Sequence, residues 1–329
     1  MCEQYVLGHW GSLCLETWGA VMVQADGGSI PSSIFEEIRG EDNLAPGMFQ
    51  NALRNSNRRD AFWRVIRRLG LLRYLDVTVV RTEVHHTERV QLQSLRLYLL
   101  CTCVDAWSGE KYPQFDQWLE SEDGDCDLQR IVIDSLRSSP SLQDTRQEVI
   151  KLYKLWQEHY SATKVFRRFF QELSNPAARY LTSNWLVWRD AEVSDVKAVI
   201  SAQSADVLKI WQGKSLREQL EQIARYLYEF RRNPFTHEAE DYPSRYTPSD
   251  DGYYWTAMKR STMKWIVVGY KLPEYRLLRV AVVARIRSDL GFDVTDGYIQ
   301  WLASYIAQKD MDLENYFYLG RNIVGTWCS

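Results

Sequence analysis

The feature that most constrains this 329-residue chain is the recurrence of apolar side chains at helical spacing. In RRDAFWRVIRRLGLLRYL, residues 58–75, Phe62, Val65, Ile66, Leu69 and Leu72 fall on one face, while Arg64, Arg67 and Arg68 fall largely on the other. A period of 3.6 residues with a single apolar stripe is the pattern of an amphipathic helix packed on a core. The stretch ERVQLQSLRLYLLCTCVDAW, 88–107, predicts a long, deeply buried helix stopped by Ser108-Gly109. Helices are also predicted near 128–137, 143–160, 163–173, 176–188 and 194–212, and from the capping box Ser215-Leu-Arg-Glu218 to about Arg232. A polar, proline-containing loop at 238–252 precedes three more, near 253–269, 274–290 and 297–308. Only LDVTVVRTEV, 75–84, is β-branched enough to read as a short strand or extended crossing. The expected fold class is all-α, with at most one short β segment.

Composition narrows the function classes. Hydrophobic residues make up 45% and charged residues 25%, which is globular rather than disordered. A net charge of −3 excludes a polycation, so any nucleic-acid contact must come from a local patch. The basic residues are 29 Arg against 11 Lys. Arg suits bidentate phosphate contact, but it serves helix faces and ion pairs equally well. Six scattered cysteines without a CxxC pair read as reduced thiols, which suits a cytoplasmic protein. Cys101 and Cys103 are two apart on a predicted helix and point to different sides. The N-terminus MCEQY lacks a basic region, and no run of eighteen apolar residues occurs, so neither a signal peptide nor membrane association is expected.

Several sites are set aside on spacing. Asp123-x-Asp125-x-Asp127 begins like a calcium loop, but Leu128 stands where the sharp-turn glycine belongs and Asp134 where a bidentate Glu is needed. No HExxH, P-loop or GxGxxG sequence occurs, and the adjacent His85 and His86 would turn apart, so no metal or other cofactor is expected. Arg54, Arg58, Arg59, Arg64, Arg67, Arg68 and Arg73 make a basic surface. Such a surface is more often a solvated face than an RNA groove; as an RNA approach, its candidates are Arg64, Arg67 and Arg68.

The stretch FRRNPFTHEA, 230–239, is more specific. An Arg-x4-His match arises by chance about 0.4 times at this composition, and a second one, Arg81-x4-His86, is present. Arg232–His237 differs by position. At 100° per residue Arg232 lies about 160° from Leu216, away from the stripe of Leu216, Leu220, Ile223, Leu227 and Phe230. Asn233 precedes Pro234, which ends a helix. Read forward, Asn is a strong N-cap and Pro is favoured at N1. Arg232 and His237 then take the N′ and N4 positions, which touch at a helix start where anions bind. The competing reading is that these cations offset the dipole at the end of helix 216–232. Chemistry favours the site. Attack of a ribose 2′-hydroxyl on phosphate needs a group titrating near neutrality and a cation on the developing charge, and His and Arg supply both without a metal.

RNPFTH at the end of such a helix resembles the Arg-Asn-x3-His motif of HEPN-domain proteins, and LRLYLLCTCVDAW resembles the first helix of these domains. The resemblance covers residues 88 to 290. It implies an antiparallel helical bundle, usually dimeric, and a metal-independent endoribonuclease acting in phage defence (abortive infection) or as a toxin beside an antitoxin or sensor partner. It also implies roles. Arg232 would bind and polarise the phosphate, His237 would act as general acid or base, Asn233 would shape the turn, and Asp105 would hold the motif's side chains. Some toxins of the family carry a Tyr two residues after the His; here that residue is Ala239, which counts against control by its adenylylation. The division implied is a mostly helical part, 1–85, of unassigned role, and a HEPN-like domain with C-terminal helices, 86–329.

A single motif supplies one histidine, whereas acid–base transesterification is best served by two proton-transfer groups. A homodimer meets this need, pairing two His237 and gathering Arg231 and Arg232 from each chain around one phosphate. Helix 274–290, with Leu277, Leu278, Val280, Val282, Val283 and Ile286, is apolar enough for the interface or for an intramolecular core, the commoner use. The alternative function is a non-catalytic helical module that binds a protein or nucleotide partner.

Overall fold

The computed structural model describes residues 32–41, 46–56, 58–81, 86–109, 114–120, 130, 133–135, 137–138, 141–201, 205–232, 247–248, 252–259 and 264–309. Helices dominate. Among the described residues the first four are α1 (Ser32–Arg39), α2 (Pro46–Asn55), α3 (Arg59–Arg81) and α4 (His86–Ser108), followed by α5 (Phe115–Glu120), α6 (Leu142–Tyr160), α7 (Ala162–Gln171) and α8 (Asn175–Asn184). After strand β1 (Trp185–Ala191) come α9 (Val193–Ile200), α10 (Ala205–Gln212) and α11 (Leu216–Tyr226), the last continuing as a π-helical turn, Leu227–Arg232. Strands β2 (Thr247–Pro248), β3 (Tyr254–Lys259) and β4 (Trp265–Tyr270) precede α12 (Glu274–Asp289), and a further helix, α13, spans 296–309.

The apolar stripe of α3 is buried as its spacing predicts, with Phe62, Val65, Ile66, Leu69 and Leu72 each at most 4% exposed. It packs on α4, and their buried residues belong to the same core as those of α7, α8, α11 and α12. Helix α12 is the axis of this core. Leu277, Leu278, Val280, Val282, Val283 and Ile286 are all buried, so this run is intramolecular core and offers no face to a second chain. Its charged residues enter the interior with partners. Arg287 donates to the carbonyls of Asp293, Ile38 and Arg39, and Arg285 pairs with Glu172 and Asp289. Paired or carbonyl-bound in this way, a buried cation avoids the several kcal/mol cost of lying unsolvated.

A four-stranded antiparallel sheet, in the order β1-β4-β3-β2, corrects the all-α expectation. Within the segment 253–269, expected as a helix, β3 and β4 pair antiparallel. Its central strand reads Ile-Val-Val-Gly-Tyr from 266 and is buried on both faces. Such a strand shows no alternation, which is why it resembles a buried helix in sequence. Gly269 is required there, because a Cβ on it would stand 2.7 Å from the ring of Trp255. The expected helix 176–188 ends at Asn184, and Trp185–Ala191 pairs with β4 instead. Asp190, at φ 60°, marks the register shift between Arg189 and Ala191. The expected helix 194–212 is two helices, the first opened by a reciprocal cap between Glu192 and Asp195. Residues 75–81, read as a strand or crossing, continue α3 as helix.

Candidate functional site

Helix α11 starts where the capping box places it. The Ser215 side chain accepts from the Glu218 N–H at 3.3 Å, and the Glu218 carboxylate accepts from the Ser215 N–H at 2.8 Å. Leu220, Ile223 and Leu227 anchor the helix in the core. Over Leu227–Arg232 the helix widens to π geometry, which changes the direction in which successive side chains leave the axis. That turn packs on α4.

Arg232 and Asp105 meet at this contact. Arg232 Nε donates to Asp105 Oδ2 at 2.7 Å, and the guanidinium lies 4.9 Å from the ring centroid of Tyr228, one turn earlier. The two side chains are 20% and 23% exposed, so the pair sits at the edge of the core rather than in open solvent. Burial pushes the Asp105 carboxyl above its ordinary range, against the opposing pull of the Arg232 charge and hydrogen bond and then of Arg68. For Arg232, burial works against the charge, and Asp105 more than offsets it, holding the guanidinium above its ordinary value. A cation fixed by a carboxylate and an aromatic ring has few rotamers to lose on meeting an anion, which is what a preorganised phosphate site needs.

The neighbouring arginine does something else. Arg231 is buried, donating Nε to the Tyr226 hydroxyl at 2.8 Å and forming an ion pair with Glu274 at 2.8 Å. The Tyr226 hydroxyl donates in turn to Glu274 at 2.7 Å, closing a three-residue network inside the core. The structure therefore corrects the expectation that Arg231 gathers around a phosphate. The sequence carried the signal: at 100° per residue, Arg231 falls only about 60° from Leu216, beside the apolar stripe. Asn233 and His237 lie outside the described residues, as does the predicted break at Asn233-Pro234.

Of the basic surface, Arg64 and Arg67 are exposed on α3 and Arg68 is half-buried, near enough to Asp105 to lower its pKa. Arg58 is half-buried, donating to the Trp107 carbonyl at 2.9 Å and lying 3.5 Å from Asp289, so its guanidinium is partly committed to the core.

A cluster not anticipated from sequence lies along α11, where Arg189 pairs with Glu229 at 2.9 Å, Arg225 with Glu229 at 3.9 Å and Arg167 with Glu221 at 3.5 Å. Three guanidinium groups face two carboxylates, and one buried nitrogen of each arginine lacks a hydrogen-bond partner. Burial, followed by the like charge of Arg225, lowers the pKa of Arg167.

Among the described residues no three His, Cys, Asp or Glu side chains converge as metal ligands, and no helix is long and apolar enough to cross a membrane. Comparison with protein-family models, with curated proteins and with solved structures gives no match to this chain.

Proposed function

We propose that the chain is a metal-independent endoribonuclease of the HEPN type, acting as an effector in phage defence or in a toxin–antitoxin system. The observation that supports this reading is the Arg232–Asp105 pair. A carboxylate from the helix that the motif comparison singles out reaches the arginine of RNPFTH and orients it at the edge of the core. In this reading Arg232 polarises the scissile phosphate and Asn233 shapes the turn that presents His237. The ribose 2′-oxygen attacks phosphorus and loses its proton to a base; the P–O5′ bond breaks, and the leaving oxygen takes a proton from an acid. His237 serves as one of these groups, and its copy in a homodimer serves as the other. RNA is the substrate, and an antitoxin or sensor protein is the regulating partner.

The test is incubation of total RNA with purified protein in EDTA, beside the Arg232→Ala and His237→Ala variants. Cleavage by the wild type alone, leaving 2′,3′-cyclic phosphate (or its hydrolysed form) and 5′-hydroxyl ends, is the expected result. Cleavage lost in EDTA and restored by magnesium overturns the mechanism, as does full activity in either variant.

A second reading, a non-catalytic binding module, is favoured by the same contact in a different sense. Arg232 commits its Nε to Asp105 and its face to Tyr228, as a purely structural arginine would. Intact RNA under all these conditions, with unchanged folding in both variants, supports that reading.

A further inference from the structure

We propose that Arg167 on α7, Arg189 on β1 and Arg225 on α11 form a binding site for a phosphate group, distinct from the Arg232 centre. Both α7 and β1 pack on α11, which brings the three side chains together on its flank. Burial, followed by the charge of Arg225, lowers the pKa of Arg167, and Arg189 adds to this, so the three guanidinium groups lie close to one another. Tyr228, whose ring the Arg232 guanidinium faces, meets Phe166 with centroids 5.5 Å apart. Phe166 precedes Arg167 in the chain, so the cluster and Arg232 lie along the same α7–α11 contact.

The cluster is not neutralised from within. Three positive charges meet two carboxylates, Glu221 and Glu229, which leaves one in excess. Arg189 Nη2 donates to Glu229 Oε2 at 2.9 Å, the length of a charge-assisted hydrogen bond. The other two pairs are looser, with Arg167 Nη1 3.5 Å from Glu221 and Arg225 Nε 3.9 Å from Glu229. Nη1 of Arg189, whose side chain is only 7% exposed, is buried without a hydrogen-bond partner, as is Nε of Arg167 and of Arg225. Unpaired donors on buried cations are costly, and an oxyanion satisfies several of them at once.

The cluster reaches the surface at one end, where the side chains of Arg225 and Glu221 are 41% and 38% exposed. A ligand can therefore approach the arginines while their helices stay packed. Its chemistry follows from the donors. Planar guanidinium forks on three separate elements suit a group whose oxygens point in several directions, which a phosphate has and a carboxylate lacks. A carboxylate ligand would only repeat what Glu221 and Glu229 already offer. The phosphate can come from two sources, a strand of RNA or a small phosphate compound. Arg225 and Arg232 are seven positions apart on one helical run, about 10 Å at 1.5 Å per residue, a distance that a few nucleotides of one strand span.

The experiment is calorimetric titration of the full chain, in a His237→Ala background and at fixed ionic strength, with inorganic phosphate and with a single-stranded oligoribonucleotide. It is repeated with Arg225→Gln, with Arg167→Gln and Arg225→Gln together, and with Glu221→Gln. At least one of the two probes should bind, and the double arginine variant should lose about tenfold or more of that affinity. Arg225→Gln alone, at the exposed end, should lose part of it. Glu221→Gln should bind about threefold or more tighter, because it removes a competing negative charge and leaves the arginines in place. An ion-pair brace with no ligand gives no such gain. Failure of both probes to bind at millimolar phosphate and saturating RNA overturns the proposal, and so does equal affinity in the parent and the arginine variants. Competition separates the sources: RNA that displaces phosphate marks a polynucleotide site, and phosphate undisturbed by RNA marks a site for a small phosphate compound. Cleavage is read in neither arm, so the outcome stands apart from the fate of the Arg232 centre.

Discussion

Arg232 and Asp105, 127 positions apart in the chain, meet at 2.7 Å through Nε and Oδ2. The contact exists because the π turn that ends α11 rests on the last turns of α4. It couples the stability of that packing to the orientation of the guanidinium.

Asp105→Ala should therefore destabilise the protein by about 1–3 kcal/mol, since it leaves a half-buried cation without its acceptor. Arg232→Met in the same background should recover part of that loss, because the stranded charge is then gone. Denaturant unfolding of both single variants and the double variant measures the coupling. Strictly additive losses would mean that the pair holds nothing together.

The buried network of Arg231, Tyr226 and Glu274 makes a sharper demand. Removing the carboxylate by Glu274→Ala strands a guanidinium whose side chain is only 5% exposed, and should cost about 3–5 kcal/mol. Glu274→Gln should cost less, because the amide oxygen still accepts from one of the two donors, Arg231 or Tyr226. If the two substitutions prove equally mild by the same unfolding assay, Arg231 does not need its partner and the network is not a stabilising one.

These arginines also show how far the sequence could be read. Helical spacing placed α4, α6, α7, α12 and the start of α11 within a few residues of their observed limits, because each presents an uninterrupted period or an explicit cap, whereas α3 runs six residues past its expected end at 75. It failed where both faces of an element are buried. Ile266-Val267-Val268 has no alternation to separate a central strand from a buried helix, and Trp185 follows Asn184 with no intervening turn residue. At the site, Asp105 was legible only through the motif comparison, whereas the inward turn of Arg231 was legible in its angle to Leu216. The Arg167–Arg189–Arg225 cluster was illegible, since it joins α7, β1 and α11 and depends on a strand the spacing did not show.

Cys101 and Cys103 should be inert in the folded protein and should report on pH. Both thiols are fully buried, and burial raises Cys101 well above its ordinary value and Cys103 from 9.0 to about 12. A thiol raised in the folded state keeps its proton while the unfolded chain releases it. Its contribution is thus complete below pH 9 and is lost as pH rises toward 12. In that window wild-type stability should fall by about 1.4 kcal/mol per pH unit more steeply than that of Cys103→Ala. Parallel slopes for the two proteins between pH 9 and 11 would show that the native thiol ionises freely. Alkylation at pH 8 followed by peptide mapping should leave both residues unmodified until denaturant is added.

The arginines of α3 offer a test of the RNA approach that does not depend on cleavage. Arg64 and Arg67 are exposed, and Arg68 lies close enough to Asp105 to act on its carboxyl, so the basic face of α3 borders the Arg232–Asp105 pair. Arg58 is tied to Trp107 and Asp289, so Arg64 and Arg67 are the arginines of this face with the freest side chains. If RNA passes along it, each phosphate contact releases counterions, and binding weakens linearly in the logarithm of salt concentration, by about 0.7 per contact for a single strand. Replacing Arg64 and Arg67 by Glu should lower the affinity for single-stranded RNA and reduce that slope by about 1.4, two contacts' worth. Adding Arg68→Glu should lower it further, but it also removes a cation beside Asp105, so the pair of exposed substitutions is the cleaner test. Fluorescence anisotropy in a His237→Ala background, across a range of salt, reads affinity and slope together. Unchanged affinity at low salt would leave these arginines as a solvated helix face.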